Sequence, residues 1–302
     1  MPAAVVRFTF RSTAPLAQNS RMSDSTSLPV VRRLLVDLDT PLPAGWNGGD
    51  AFRTAVFDAL SFSFPAGEQV FIDAVKKGLA ELPPEQREAF EPEVRAFIGQ
   101  EATHRRIHVR YNEHLERRGL VNHWERRILR RRERQLEPLQ PRAWLAVTAA
   151  TEHFTAILAE YLLTEPVPLA GAEPRLRDLW QWHASEESEH RSTAFDLYRA
   201  MGGNEVWRRR TYYVVTWHFT TDLMRQVLHH LRVEGQLWRW ATWREAGRFL
   251  FGRGGVLPFW RGRWGDYLKP DFHPSQGDGA PGTAWLAAHA DLAPPVNARA
   301  AT

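Results

Sequence analysis

Apolar residues recur three and four positions apart through nearly all of the stretch from Asp50 to Phe251, and Gly and Pro gather between the periodic segments. That spacing predicts helices, with no convincing run of alternating strands. A first helix is expected from about Asp50 to Ala80, kinked or restarted midway by Pro65 and Gly67. Pro83 and Pro84 make a turn, and a second helix spans about Glu85 to Arg118, stopping at Gly119. An arginine-rich crossover helix ends near Pro138 and Pro141, a third helix runs from Pro141 to Thr164, and a fourth from Glu173 to Met201, where Gly202 and Gly203 end it. Two more helices follow. Residues 1–49 read as a partly disordered N-terminal extension, of which 1–21 is a candidate start-codon extension because Met22 begins a more ordinary N-terminus. Residues 50–276 form the helical domain, and 277–302 read as a flexible tail.

Placed at about 100° per residue, the helices show their core-facing stripes. The second carries Val94, Phe97, Ile98, Glu101, His104, His108, Tyr111 and Leu115 on one side, and the fourth carries Leu176, Trp180, His183, Glu187, His190, Ala194 and Leu197. The third runs Leu145, Thr148, Glu152, Thr155, Ala156, Ala159 and Leu163, and the first Phe57, Leu60, Phe64, Glu68, Phe71, Val75 and Leu79. Each of the four inserts a carboxylate into an apolar face. The order hairpin, long crossover, hairpin predicts an all-α protein, a ferritin-like four-helix bundle with additional C-terminal helices.

An unpaired carboxylate in a core costs several kcal/mol, and four facing one another add repulsion, so the pattern demands a cation. The chain has no cysteine, which leaves carboxylate and imidazole as ligands. Two Glu-x-x-His motifs, Glu101 to His104 and Glu187 to His190, put both side chains on one side of a helix. Chance alone places about one such pair in a chain of this composition, so position in the stripes is what gives them weight. With single carboxylates Glu68 and Glu152 they make the ligand set of dinuclear carboxylate centres. His183, one turn before Glu187, is a further candidate ligand, and His108 stands in the same relation to His104. His153 is turned away and reads as packing or as support for a ligand. Glu186 and Glu189 read as solvent-facing or as partners of arginines. The expected cofactor is two iron ions, with manganese or zinc as alternatives.

Ser-Phe-Pro-Ala-Gly-Glu at 63–68, Phe-Ile-Gly-Gln-Glu-Ala-Thr-His at 97–104, Thr-Glu-His-Phe at 151–154, Trp-His-Ala-Ser-Glu-Glu-Ser-Glu-His at 182–190 and Phe-His-Pro at 272–274 together resemble a group of ferritin-like bacterial proteins named predicted metal-dependent hydrolases. The resemblance spans about Asp50 to Pro274. The spacing of His183, Glu187 and His190 is also similar to that of di-iron arylamine N-oxygenases, without likeness outside the ligands. Three functions are therefore expected in this order. The first is an oxidase or oxygenase in which two irons activate dioxygen against a small or apolar organic substrate, with Thr148, Thr155 and Ala156 leaving room. The second is a hydrolase using a metal-bridging hydroxide. The third is iron binding or scaffolding without catalysis.

Charge and composition add less. The net charge is +4, and Arg126, Arg127, Arg130, Arg131, Arg132 and Arg134 are interspersed with Glu125 and Glu133, which reads as a solvated face and not as a nucleic-acid surface. No run of about 18 uncharged apolar residues occurs, so no spanning helix is expected and the location read from the chain is cytoplasmic. Between Trp207 and Trp264 many aromatic residues alternate with arginines, which fits helices packed over the bundle, or else peripheral membrane contact or an apolar substrate tunnel. The expected partners are a small-molecule substrate and an electron donor. A homodimer is compatible with the sequence, which specifies no oligomeric state.

Overall fold

The computed structural model describes residues 28–296. Among them regular structure is helical, with two isolated β-bridges and no strand. Helix α1 (Ala51–Glu81) is followed by α2 (Pro84–Arg117), α3 (His123–Arg131), α4 (Pro141–Thr164), α5 (Pro174–His190), α6 (Thr193–Ala200), α7 (Glu205–Val233), α8 (Trp240–Phe251), α9 (Val256–Asp266) and α10 (Ala280–Ala288). A π-helical turn, Arg132–Leu136, leads out of α3.

Helix α1 starts where the Asp50 carboxylate accepts the Arg53 amide at 2.9 Å, and α2 and α4 each start on a proline, whose missing N–H costs nothing there. The break expected at Pro65 does not occur: α1 runs unbroken through it. Proline cannot donate to the carbonyl four residues back, and that carbonyl, Ser61 O, instead accepts from Asn112 Nδ2 at 3.1 Å. The expected fourth helix is divided, since the ladder lapses at Arg191 and Ser192 directly after His190 and resumes as α6.

Helix α1 packs along α2, α4 packs along α5, and α1 also crosses α4. Apolar packing divides into two clusters. One holds Phe57, Leu60, Tyr111, Ile157, Leu162 and Trp180, and the other Phe71, Val75, Val94, Phe97, Leu145, Phe154 and Leu197. Along α1, α2 and the α5–α6 segment the residues between the two clusters are Glu68, then Glu101 and His104, then Glu187 and His190. A polar layer thus crosses the middle of the molecule between two hydrophobic cores.

Both ends of the described chain depart from expectation. Residues 28–49, expected as part of a partly disordered extension, form a strap: Arg33 and Leu35 donate their amides to the carbonyls of Pro294 and Leu292, and Leu34 and Leu38 are buried. The segment expected as a flexible tail from 277 instead forms α10 and a packed end, with Trp285, Leu286 and Ala293 buried. Gly282 lets α10 approach α5, because a Cβ there would meet Ser185 O and Ser188 at 3.1 Å. The apolar pattern of 277–296 is too short to give a periodic signal, which is why its burial was not visible. The proposed start-codon extension lies outside the described residues.

The aromatic C-terminal region splits in two. Phe219, Trp260 and Trp264 pack inward, Phe219 stacking on Phe154 at 5.0 Å and Trp264 on Tyr212 at 5.4 Å. Trp207, Tyr213, Trp217, Trp238 and Trp240 are exposed.

Candidate metal centre

The polar layer brings together seven side chains from four helices: Glu68 of α1, Glu101 and His104 of α2, Glu152 of α4, and His183, Glu187 and His190 of α5. All are buried. Donor atoms of Glu101, His104, Glu187 and His190 lie within 4.8 Å of one another, and so do those of Glu68, His104 and His183. The two sets share His104. Glu187 Oε1 lies 2.9 Å from His183 Nε2, 3.6 Å from His104 Nδ1 and 3.8 Å from His190 Nε2, so one carboxylate stands between both sets. Two ligands about 2.1 Å from one ion are roughly 3–3.5 Å apart, the scale of these separations. Glu152 belongs to neither set. It approaches His190 from the far side, Oε2 to Nδ1 at 3.3 Å.

Buried polar atoms in folded proteins nearly always have partners. Here both carboxylate oxygens of Glu68, Glu101 and Glu152, Oε2 of Glu187, Nδ1 of His104 and both ring nitrogens of His190 have no hydrogen-bond partner among the described residues. They are ligand atoms of the hard and borderline kind, converging on a small space, and they fit divalent or trivalent cations. The titration behaviour shows the same strain. Burial, then the charge of Glu187, pushes Glu68 and Glu101 well above the usual carboxylate range and Glu152 up to about 7. Burial opposes ionisation of Glu187 too, but His190 and His183 hold it below its ordinary value. His190 is raised to about 9 against its own desolvation by Glu187 and Glu152, whereas burial and the neighbouring imidazoles keep His104 well below its ordinary value. Without a metal this favours one ion pair, Glu187 with His190, and the protonated form of Glu68 and Glu101, with Glu152 changing state near pH 7.

The surroundings orient the imidazoles. Starting at Pro65, the orphaned Ser61 carbonyl takes Asn112 Nδ2–H, which turns Asn112 Oδ1 toward the Ser61 hydroxyl. Ser61 Oγ–H donates to that oxygen at 2.6 Å, so its lone pairs accept from His108 Nδ1–H at 2.8 Å. His108 Nε2 is then an acceptor and takes His183 Nδ1–H, also at 2.8 Å. With neutral rings this leaves the lone pair of His183 Nε2 pointing at Glu187 Oε1 and Glu68 Oε1, an arrangement that repels unless a cation lies between. His108 thus supports His183 and does not join either ligand set.

Glu186 is not solvent-facing. It is fully buried, accepts from His104 Nε2 at 3.0 Å and from Arg32 at 3.4 Å, and burial lifts it to about 8 against the pull of Arg32. Donation from Nε2 leaves the His104 Nδ1 lone pair inside the cluster, the carboxylate–histidine pairing that orients metal-bound imidazoles. Glu189 is an arginine partner as expected, taking both Arg32 amino groups at 2.9 Å and Gln100 Nε2 at 2.7 Å. Arg32 had no sequence signal, since it lies in the strap outside any periodic element, whereas Gln100 lies within the 97–104 motif but has no role in the ligand pattern there. His153 packs against Tyr267 and donates toward Arg263 O at 3.0 Å, away from the cluster. Thr148 is buried and Thr155 lines a narrow cleft to the centre, whereas Ala156 faces a separate surface cavity.

A chain whose described regular structure is helical, and which buries interlocking carboxylate and imidazole donors with His104 and His183 oriented by further hydrogen bonds, is a metal-binding helical protein. Its sequence matches, over residues 30–278, the model of a family described as predicted metal-dependent hydrolase, and the chain belongs to that family. The match takes in the strap and Arg32. No curated protein and no solved structure matches the chain.

Proposed function

We propose that this chain is a dinuclear metal-dependent hydrolase built on a ferritin-like bundle. The observation that carries the reading is the pair of donor sets meeting at His104 and Glu187, in which buried carboxylate oxygens have no other partner. Glu101, His104, Glu187 and His190 would hold one ion, and Glu68, His104 or Glu187, and His183 the other, with Glu152 fixing His190. Two metals in such a place supply Lewis acidity toward a scissile group and a water of lowered pKa. The protein's part is to bind and orient. Arg32 and Glu186 hold His104, the Ser61–His108 relay holds His183, and the two apolar cores exclude bulk water above and below.

Residual exposure marks the side from which a substrate comes. Glu187 and His183, each 3% exposed, are the least covered of the seven and border a cleft lined by Phe64, Thr155, Leu158, Ala159, Leu162, Trp180 and Ala184. An apolar lining of this kind suits a small or apolar organic substrate. The donor set supports a second reading. Four carboxylates beside three imidazoles form a hard, oxygen-rich set that suits iron, and with an electron donor the same centre would perform oxidase or oxygenase chemistry.

One comparison separates the two. Protein loaded with zinc or manganese and protein loaded with ferrous iron would be tested on small ester and amide panels and for dioxygen uptake. Hydrolysis with redox-inactive metal and no dioxygen uptake supports the hydrolase. Dioxygen consumption by the ferrous form, with no hydrolysis under any metal, replaces it with the oxygenase.

A further inference from the structure

The α7–α8 corner has no role in the metal centre, yet it carries the two most exposed aromatic side chains of the described residues, Trp238 and Trp240. Trp238 in the turn is 91% exposed, Trp240 at the start of α8 78%, and Phe251 at its end 68%. At about 100° per residue, Trp240, Arg244, Arg248 and Phe251 fall on one outer face of α8. The opposite face, Thr242, Ala246 and Phe249, is buried, and Phe249 and Trp243 lie 6.4 and 6.3 Å from Phe52 of α1. Trp243 Nε1–H donates to Leu237 O at 2.8 Å and pins the turn. A helix that is apolar inward would ordinarily show water a polar face. This one shows aromatics at both ends and arginines between.

The charge is one-sided. Arg239, Arg244, Arg248 and Arg253 are exposed and form no ion pair among the described residues. Of the nearby carboxylates, Glu234 is engaged by Arg118, Glu245 is half-buried, and Glu165, half-buried, lies against Gly254 beside Arg253. Arginine and tryptophan together favour the interface between water and lipid, where the ring enters the headgroup layer and the guanidinium meets phosphate. A two-fold contact between copies of the chain would set these arginines against themselves. Nucleic-acid binding would call for a groove in which bases stack, and this face is the outer side of a single helix. No described helix is long and apolar enough to cross a membrane, so any contact is from the side.

We propose that the Trp238 to Phe251 face docks the protein on anionic lipid bilayers. The test is co-sedimentation of the full chain with vesicles of phosphatidylcholine alone or with added phosphatidylserine, at low and high salt, read together with tryptophan emission. Binding is expected only with phosphatidylserine, weakened by salt and accompanied by a blue shift. Each of Arg239→Gln, Arg244→Gln and Arg248→Gln is expected to weaken it about fivefold, and Trp238→Ala with Trp240→Ala to abolish it, with helical content and metal content unchanged. No binding at low salt overturns the proposal, as does binding that the variants leave intact. It is equally overturned if these variants abolish self-association, or binding of a single-stranded oligonucleotide, while vesicles are ignored.

Discussion

At the centre His104 and His183 each depend on a neighbour that fixes the direction of the ring, and the consequences are separable. Glu187→Ala removes the carboxylate standing between both donor sets, and metal content is expected to fall from about two ions per chain to one or none, measured by elemental analysis. Glu186→Gln and Ser61→Ala touch no predicted ion. They act through His104 and His183, and each is expected to weaken metal affinity by about 10- to 100-fold in a chelator competition while the fold persists. Ser61→Ala should be rescued in part by Ser61→Thr, which keeps the hydroxyl. The pH dependence follows from the raised carboxyls. Glu152 in the metal-free protein takes up a proton as pH falls through about 7, and Glu68 and Glu101 are likewise raised well above the usual carboxylate range by burial and the charge of Glu187. Metal must displace these protons, so affinity should drop as pH falls through that range, with proton release on binding in weakly buffered solution. For stability the sign is the same comparison. A carboxyl raised in the fold stabilises the metal-free protein at low pH and ceases to do so as pH rises past its folded value. The gain in Tm on adding metal should therefore widen with rising pH; a gain that is flat or shrinks would mean the carboxyls are not ligands. Residue identities at the centre were legible because charged residues in an apolar stripe stand out. Glu186 was not, since its position 100° from Glu187 looked like the solvent side until the strap covered it.

Helices α1, α2 and α4 were legible nearly to their ends, because apolar periodicity, proline at first turns and glycine at stops report local physics. What escaped was decided by tertiary contact. Pro65 sits mid-helix because Asn112, from α2, supplies the donor that the proline lacks, and nothing near residue 65 reports that. The strap and α10 are short segments whose burial depends on each other and on α5. Trp285 of α10 is buried and donates to Gln181 Oε1 at 3.2 Å. Trp285→Ala is expected to cost about 3 kcal/mol in denaturant unfolding without altering metal content. If metal were lost along with stability, α10 would belong to the centre and not merely to the packing around it.

On the scale of the whole molecule, two apolar clusters are joined through a layer that is unfavourable by itself. The lower and upper cores can each pack, but the layer between them holds carboxylates that repel one another and lack partners. Fold and metal are coupled by that layer, since ions that bind the native state and not the unfolded chain stabilise it by mass action. The sequence shows the ligands without the reaction, because the same donor set can serve hydrolysis or dioxygen chemistry and the cleft residues that would discriminate, such as Phe64, Leu158 and Leu162, look like ordinary core.

The most direct measurement is the metal content per chain of protein purified separately from cells supplemented with iron, manganese or zinc, by elemental mass spectrometry against amino-acid analysis. The account predicts about two ions per chain with at least one of these metals, falling in Glu187→Ala. Less than one ion per chain under all three supplements would contradict it and leave the buried carboxylates of the central layer without an explanation.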